Sequence, residues 1–168
     1  MRNLRTTACG LIAALLFAAC GNATSNMGFA VPAGYQSKFN LFGSEMWIRG
    51  QADHPDMLML MTIPKKFDIG TTGKDFNFDS MPGQSVKNAR LTEHKKIVMC
   101  GNQPAFEAKA VGTSDATKAT GKNGAEDIDM ILTGWGNNTY MVMYAHPHST
   151  PADPASEAAL MTLCPKTP

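Results

Sequence analysis

The residues best suited to chemistry in this chain are thioethers and imidazoles. Methionines alternate along two apolar stretches, namely Met57, Met59 and Met61, and then Met141 and Met143. His146 and His148 flank Pro147 directly after the second stretch, and we expect them in a loop. Thioether and imidazole ligands suit copper, particularly Cu(I), so a metal site at His146 and His148 is one interpretation. The favoured interpretation is a core under a helix, because alternation puts the methionines on one sheet face, where flexible thioethers fill gaps.

The N-terminal residues have the pattern of an export signal. Arg2 and Arg5 precede an almost wholly apolar run from residue 8 to residue 19. The run is shorter than the roughly 20 residues of a membrane-spanning helix. A charged start, a short apolar core and small residues before a cleavage site are typical of a secretory signal. The run ends in Leu-Phe-Ala-Ala-Cys and resembles the lipobox of bacterial lipoproteins, with Phe17 standing where leucine is usual.

The lipobox resemblance implies that Cys20 carries the lipid. In such proteins the thiol takes a diacylglycerol, the signal is removed, and the new amino group is acylated with a chain such as palmitate. Several acyl chains make anchoring stable, at about 0.8 kcal/mol per buried CH₂. We therefore predict a signal peptide over residues 1–19, a lipidated tether over 20–30 and one α+β domain over 31–168. The alternative is an ordinary cleaved signal in which Cys20 is incidental.

Charge and the residue after Cys20 indicate the compartment and the class of partner. Residues 1–19 contain Arg2, Arg5 and no acid, so the remaining chain has 13 Lys and Arg (15 less 2) against 14 Asp and Glu. A near-neutral chain without a basic block gives no support for nucleic-acid binding. Gly21 lacks the Asp-type inner-membrane retention signal of enteric bacteria, which by analogy favours the outer membrane, facing the periplasm. We expect a membrane contact through the lipid and a protein partner in the envelope.

Two cysteines are left for the folded domain. Cys9 leaves with the signal and Cys20 is acylated, so Cys100 and Cys164 remain. In an exported protein such a pair predicts a disulfide, and two free buried thiols are the alternative. The count and spacing exclude a Cys-x-x-Cys redox motif and a four-cysteine zinc site.

The periodicity of the domain predicts mainly strands. Apolar alternation and turn residues place strands over residues 44–50, 56–63, 88–93, 96–100, 105–111, 126–133 and 139–145, the first two forming a hairpin. Asp153 suits an N-cap and Pro154 the first position of a helix that continues to Pro165. Leu160, Leu163 and Cys164 then form one stripe that packs on the sheet. The sequence predicts an α+β fold with a central antiparallel sheet of about six strands and a C-terminal helix packed on it.

The order of these elements resembles a known family. The strand and turn "VMCGNQPA", the strand "TYMVMYAHP" and the closing helix "SEAALMTLCP" follow one another behind a lipobox. Together they resemble small bacterial lipoproteins of the PsbP-like type, over residues 31–165. The resemblance implies an α/β/α sandwich around a central antiparallel sheet and a non-catalytic binding or accessory role. It supplies no shared active site.

The best candidate for a partner contact is the polar stretch Gly112–Glu126, which joins two strands and contains Lys118 and Lys122. Long loops on a rigid scaffold often bind partners, although this composition is equally typical of a mobile loop. Trp135, at the opposite hairpin turn, is a second candidate contact, or it folds back on the sheet. The signature strings GxSxG and HExxH are absent. An enzyme is therefore the third hypothesis, and no cofactor is predicted.

Overall fold

The computed structural model describes residues 26–41, 43–50, 55–68, 86–114 and 124–166. The described residues form strands and one helix: β1 (Met27–Gly28), β2 (Gln36–Leu41), β3 (Ser44–Arg49), β4 (Asp56–Ile63), β5 (Val86–Met99), β6 (Gln103–Ser114), β7 (Ala125–Trp135), β8 (Asn138–Pro147), α1 (Pro154–Leu160) and β9 (Cys164–Pro165). Within these ranges, no helix is both long and apolar enough to cross a membrane.

Seven of the strands form one antiparallel sheet in the order β2-β3-β4-β8-β7-β6-β5. The predicted hairpin is confirmed as β3–β4, and the β7–β8 hairpin turns at Gly136, whose φ of 60° suits glycine. Strand β2 was not predicted, because it is a polar edge strand that lacks apolar alternation, and it brings the expected sheet of about six strands to seven. The two strands predicted over 88–100 are one strand, β5, which has two register shifts, the first spanning Asn88 at φ 54°.

The two faces of the sheet bury different side chains. One face, the methionine face, holds a cluster made wholly of strand residues: Met59, Met61, Phe106, Ala108, Ala110, Ile128, Met130, Leu132, Met141, Met143 and Ala145. The other, the helix face, buries residues such as Leu58, Val142 and Tyr144 under Leu160 and Leu163. The methionines are core residues, as expected, but the helix lies on the opposite face. Alternation along a strand predicts that the methionines share one face of the sheet. Which face α1 covers depends on packing between elements that are distant in the sequence.

Helix α1 begins as predicted and ends early. Asp153 is the N-cap, its carboxylate accepts the Ser156 N–H at 3.0 Å, and Pro154 opens the helix. The helix ends at Leu160 and does not continue to Pro165. Because a residue before proline is disfavoured in the helical region, Cys164 adopts the extended conformation of β9. Leu163 still reaches the core, where it is completely buried.

The predicted disulfide between Cys100 and Cys164 is confirmed, and it joins the β5–β6 turn to β9. Strand β9 pairs with β1, so that Met27 lies opposite Pro165 and Gly28 opposite Cys164. The Lys166 N–H also donates to the Asn26 carbonyl at 2.9 Å. The first described residues are therefore held at one end of the sheet, where β5 and β7 end and β6 and β8 begin. We call it the Trp135 end, and the opposite end the His148 end.

Candidate binding surface

The helix face is open to solvent over part of β5, β6 and β7. Cross-strand pairs there bring Glu93 next to Lys109, Lys109 next to Asp129, and Lys95 next to Glu107. These five side chains, which we call the open half-face, are exposed or half-buried. They share a face with the buried Ile131, whose β6 neighbour is Glu107. The polar side of β6, which carries Glu107 and Lys109, thus lies on the same side of the sheet as α1.

Ion pairs cross the open half-face from strand to strand. Lys95 Nζ lies 3.1 Å from Glu107 Oε2, and Lys109 Nζ lies 3.3 Å from Asp129 Oδ1. Lys109 Nζ is also 3.7 Å from Glu157 Oε1 on the first turn of α1. Exposed pairs of this kind stabilise a fold by about 0–1 kcal/mol each. Their main physical effect is therefore a pattern of alternating charge on the surface.

Lys109 is the centre of this pattern. Its burial alone would lower the pKa of the ammonium, but the carboxylates of Asp129, Glu157 and Glu93 outweigh it and raise the pKa. Burial raises the pKa of Asp129, and the attraction of Lys109 offsets this only in part. Burial outweighs the ion pair at Asp129 but not at Lys109, because the side chain of Asp129 is 14% exposed and that of Lys109 is 43% exposed. Lys109 stays charged at neutral pH.

The cavities on this surface are small. One, of about 80 Å³, lies between the sheet and α1 and is lined by residues that include Lys109, Asp129, Leu160 and Met161. A second, of about 90 Å³, lies along β5 and β6 around Lys95. Pockets for small molecules typically measure roughly 300–1,000 Å³. The open half-face is thus shallow, and the exposed Met161 stands at its border with α1.

A separate polar cluster fixes the start of α1. Arg49 donates to Asp56 at 2.6 Å, lies 2.9 Å from the Asp153 carboxylate, and stacks 4.7 Å from the Tyr35 ring centroid. The Tyr35 and Ser156 hydroxyls are hydrogen-bonded at 2.8 Å. The Ser156 side chain, and after it Arg49, holds the pKa of Asp153 below its usual value. Every one of these groups has a partner within the cluster, which indicates a structural role.

The same cluster reaches the sheet through Tyr144. Its hydroxyl accepts the Asp153 N–H at 3.1 Å, and burial raises the pKa of Tyr144 to about 12. The phenol is therefore neutral at physiological pH and serves as a fixed hydrogen-bonding group.

The structure corrects the expected placement of His146, whereas His148 lies in a turn after β8, as expected. Strand β8 continues through Pro147, so His146 lies in the strand and is only 4% exposed, rather than in a loop. Its ring stacks 5.1 Å from that of Tyr144, while the exposed His148 has Nδ1 2.8 Å from Asp127 Oδ1. Within the described part of the chain, no group of three or more His, Cys, Asp or Glu residues is arranged to hold a metal. Copper binding stays a prediction from the sequence.

Of the predicted partner contacts, the structure describes only Trp135. Trp135 is 47% exposed at the end of β7, so it does not fold back into the core. Lys118 and Lys122 lie outside the described residues, between the end of β6 and the start of β7, and Cys20 also lies outside them. Because β7 is eleven residues long, about 33 Å separates its two ends. The strand ends that flank Lys118 and Lys122 and the residue Trp135 therefore lie at opposite ends of the sheet.

Comparison with known proteins shows similarity of fold alone. No protein-family model matches the chain, and no curated protein matches it. A crystal structure of a Bacteroides thetaiotaomicron protein aligns at 14% identity and TM-score 0.46, covering 84% of this chain and 46% of that one. The chain thus spans less than half the length of that protein. The Saccharomyces cerevisiae Ran-binding protein Mog1p aligns at 10% identity and TM-score 0.50, covering 81% of this chain and 78% of that one. The shared fold is an α/β sandwich, as in PsbP-like proteins.

Sequence reasoning missed most of the open half-face. The alternation in β6 does mark Glu107 and Lys109 as outward-facing. Nothing local indicates that Glu157 of α1 approaches Lys109, or that Met161 borders the same surface. The signal available in the sequence was the predicted packing of the helix on the sheet, because one helix covers only part of a sheet face.

Proposed function

We propose that this protein is a lipid-anchored component of the bacterial cell envelope that binds another protein and catalyses no reaction. It is anchored through acylated Cys20 and lies at the outer membrane, facing the periplasm. The observation that carries the binding role is the open half-face, an uncovered part of the sandwich beside α1. Cofactors and nucleic acid have no part in this proposal.

The open half-face is suited to a protein surface. Its cations and anions alternate between neighbouring strands, so a complementary partner presents both signs of charge at strand-like spacing. Met161 is 48% exposed at the border and supplies a flexible apolar contact. Methionine is among the residues that are enriched at protein interfaces. Mog1p is described as a Ran-binding protein, and a partner-binding role on this fold has that precedent.

A non-catalytic role is supported by the chemistry of the described residues. The cavities of about 80 and 90 Å³ are too small to enclose a substrate. The groups of the Arg49 cluster satisfy one another's hydrogen-bonding and charge requirements. An enzyme site needs perturbed groups that converge on a space large enough for the substrate. Lys109 and Asp129 have shifted pKa values, but the space that they line measures only about 80 Å³.

The test is site-specific crosslinking in cells that produce the acylated protein. A photoreactive residue replaces Met161 in one variant and Lys38 in the other. Lys38 is exposed on β2, at the far edge of the same sheet, and serves as the control. We expect one discrete protein product from position 161 and none from position 38. Equal products at both positions, or none at either, would contradict the binding role.

The anchor is tested separately by the mass of the protein extracted from membranes without reductant. We expect a chain that starts at Cys20, carries acyl groups and lacks two hydrogens because of the Cys100–Cys164 disulfide. A mass without acyl groups would contradict the anchor but not the binding surface.

A further inference from the structure

The Trp135 end gathers most of the exposed apolar side chains of the described residues. Large hydrophobic residues that are exposed there include Phe67 (37%), Val98 (65%) and Trp135 (47%). Phe67 is fixed to β8 by its N–H, which donates to Thr139 Oγ1 at 2.9 Å, and Thr139 pairs with Gly134 next to Trp135. Val98 pairs with the exposed Pro104 at the start of β6. These apolar side chains therefore lie at one end of the sheet.

Basic side chains surround this apolar end. Lys65 and Lys66 are exposed directly before Phe67, and the Lys65 Nζ lies 5.6 Å from the Phe67 ring centroid. Lys166 is exposed beside β9. Asp68 is the exposed acid in the same stretch, so the cations outnumber it. An aromatic and aliphatic rim with lysines is the composition that favours the interface of a bilayer containing anionic lipids.

The tether leaves the domain at the same end. Asn26 is held against Lys166, and β1 against β9, close to the Cys100–Cys164 disulfide. Asn26 is six positions after Cys20, and an extended chain of that length spans at most about 20 Å. The His148 end lies a further 33 Å or so along the strands. A lipid at Cys20 thus keeps the Trp135 end near the bilayer and the other end away from it.

We propose that the Trp135 end docks on the surface of the lipid bilayer, with Trp135, Phe67 and Val98 at the level of the headgroups. This inference rests on the anchor in the proposed function for the position of the tether. The docking orients the domain, so that the open half-face stands beside the membrane and the His148 end points into the periplasm. It assigns Trp135 to lipid, whereas the sequence suggested a protein partner.

The test uses the protein that starts at Cys20 and contains every described residue. Its free thiol at Cys20 is coupled to a maleimide lipid in vesicles of phosphatidylethanolamine and phosphatidylglycerol, with or without brominated acyl chains. The chain has two tryptophans, and Trp47 packs against Phe29 with ring centroids 5.6 Å apart. Trp47→Phe isolates the emission of Trp135, and Trp135→Phe isolates that of Trp47 as the matched control.

We expect brominated lipid to quench Trp135 and its emission to shift to the blue, while Trp47 is unaffected. Lys65→Glu together with Lys66→Glu should reduce the quenching on anionic vesicles. Emission from Trp135 that is equal with and without bromine, in protein that stays coupled, would overturn the proposal. A discrete protein crosslink from position 135 in cells would do the same. Because the lipid is attached chemically, a failure of acylation in cells is detected by mass alone and does not affect this result.

Discussion

Removal of the Cys100–Cys164 disulfide should cost a large part of the stability of the domain. The two residues are 64 positions apart in the sequence. In the chain-entropy model, opening a loop of this length raises the conformational entropy of the unfolded chain and so stabilises the unfolded state by roughly 4 kcal/mol at 25 °C. A domain of this size has a free energy of unfolding of about 5–15 kcal/mol. The loss should also lower the Tm by on the order of 10 °C, at about 2–4 °C per kcal/mol.

The assay is urea unfolding of a Cys100→Ala, Cys164→Ala double variant beside the wild type, each with and without reductant. Cys20→Ser is the matched control, because it removes a cysteine that is outside the disulfide. We expect the reduced wild type to match the double variant, and the amides of β1 to exchange faster in both, since β1 pairs only with β9 among the described strands. A double variant within about 0.5 kcal/mol of the wild type, the ordinary range of surface changes, would refute the reasoning.

Three further predictions concern the helix face. Leu163→Ala removes a completely buried side chain and should cost about 2–5 kcal/mol in urea unfolding, whereas Met161→Ala should stay within about 0.5 kcal/mol. Hydrogen bonds from Ser156, and after them Arg49, hold the pKa of Asp153 below its usual value. Its ionised form therefore stabilises the fold at a pH above the usual carboxyl pKa, and the contribution is lost as the pH falls through the lower, folded pKa. Asp153→Asn should therefore remove this acid-dependent loss from a stability profile measured from neutral to acid pH. Arg49→Lys breaks the double contact with Asp56 and Asp153 and should lower the free energy of unfolding in urea by about 1–2 kcal/mol.

The sequence predicted well wherever the signal is local. Apolar alternation and turn residues gave the β3–β4 hairpin and the β7–β8 hairpin, and capping chemistry gave the start of α1. The count of cysteines, together with the expectation of export, predicted the disulfide. The misses are elements that contacts between distant residues stabilise. Strand β2 is polar, and β1 and β9 have two residues each, so they carry no periodic pattern.

The candidate surface also combines positions that the sequence predicts with contacts that it does not predict. The outward position of Lys109 follows from alternation in β6, but its contact with Glu157 requires the first turn of α1 to lie over β7. His146 shows the limit most clearly. Its neighbour Pro147 suggested a loop, yet the residue pairs with Asp127 inside the sheet and is buried.

The sequence by itself determined which side chains share a sheet face, where the long strands lie, and that two cysteines were left to pair. These depend on the period-two geometry of a strand and on residue chemistry, which act within a few positions of the chain. The tertiary structure alone decided that α1 covers the face opposite the methionines, that it leaves the open half-face exposed, and that Asn26 and β1 lie at the Trp135 end. Those features follow from the packing of elements far apart in the sequence. Met27 of β1, Leu160 of α1 and Leu163, which precedes β9, pack on the same apolar surface.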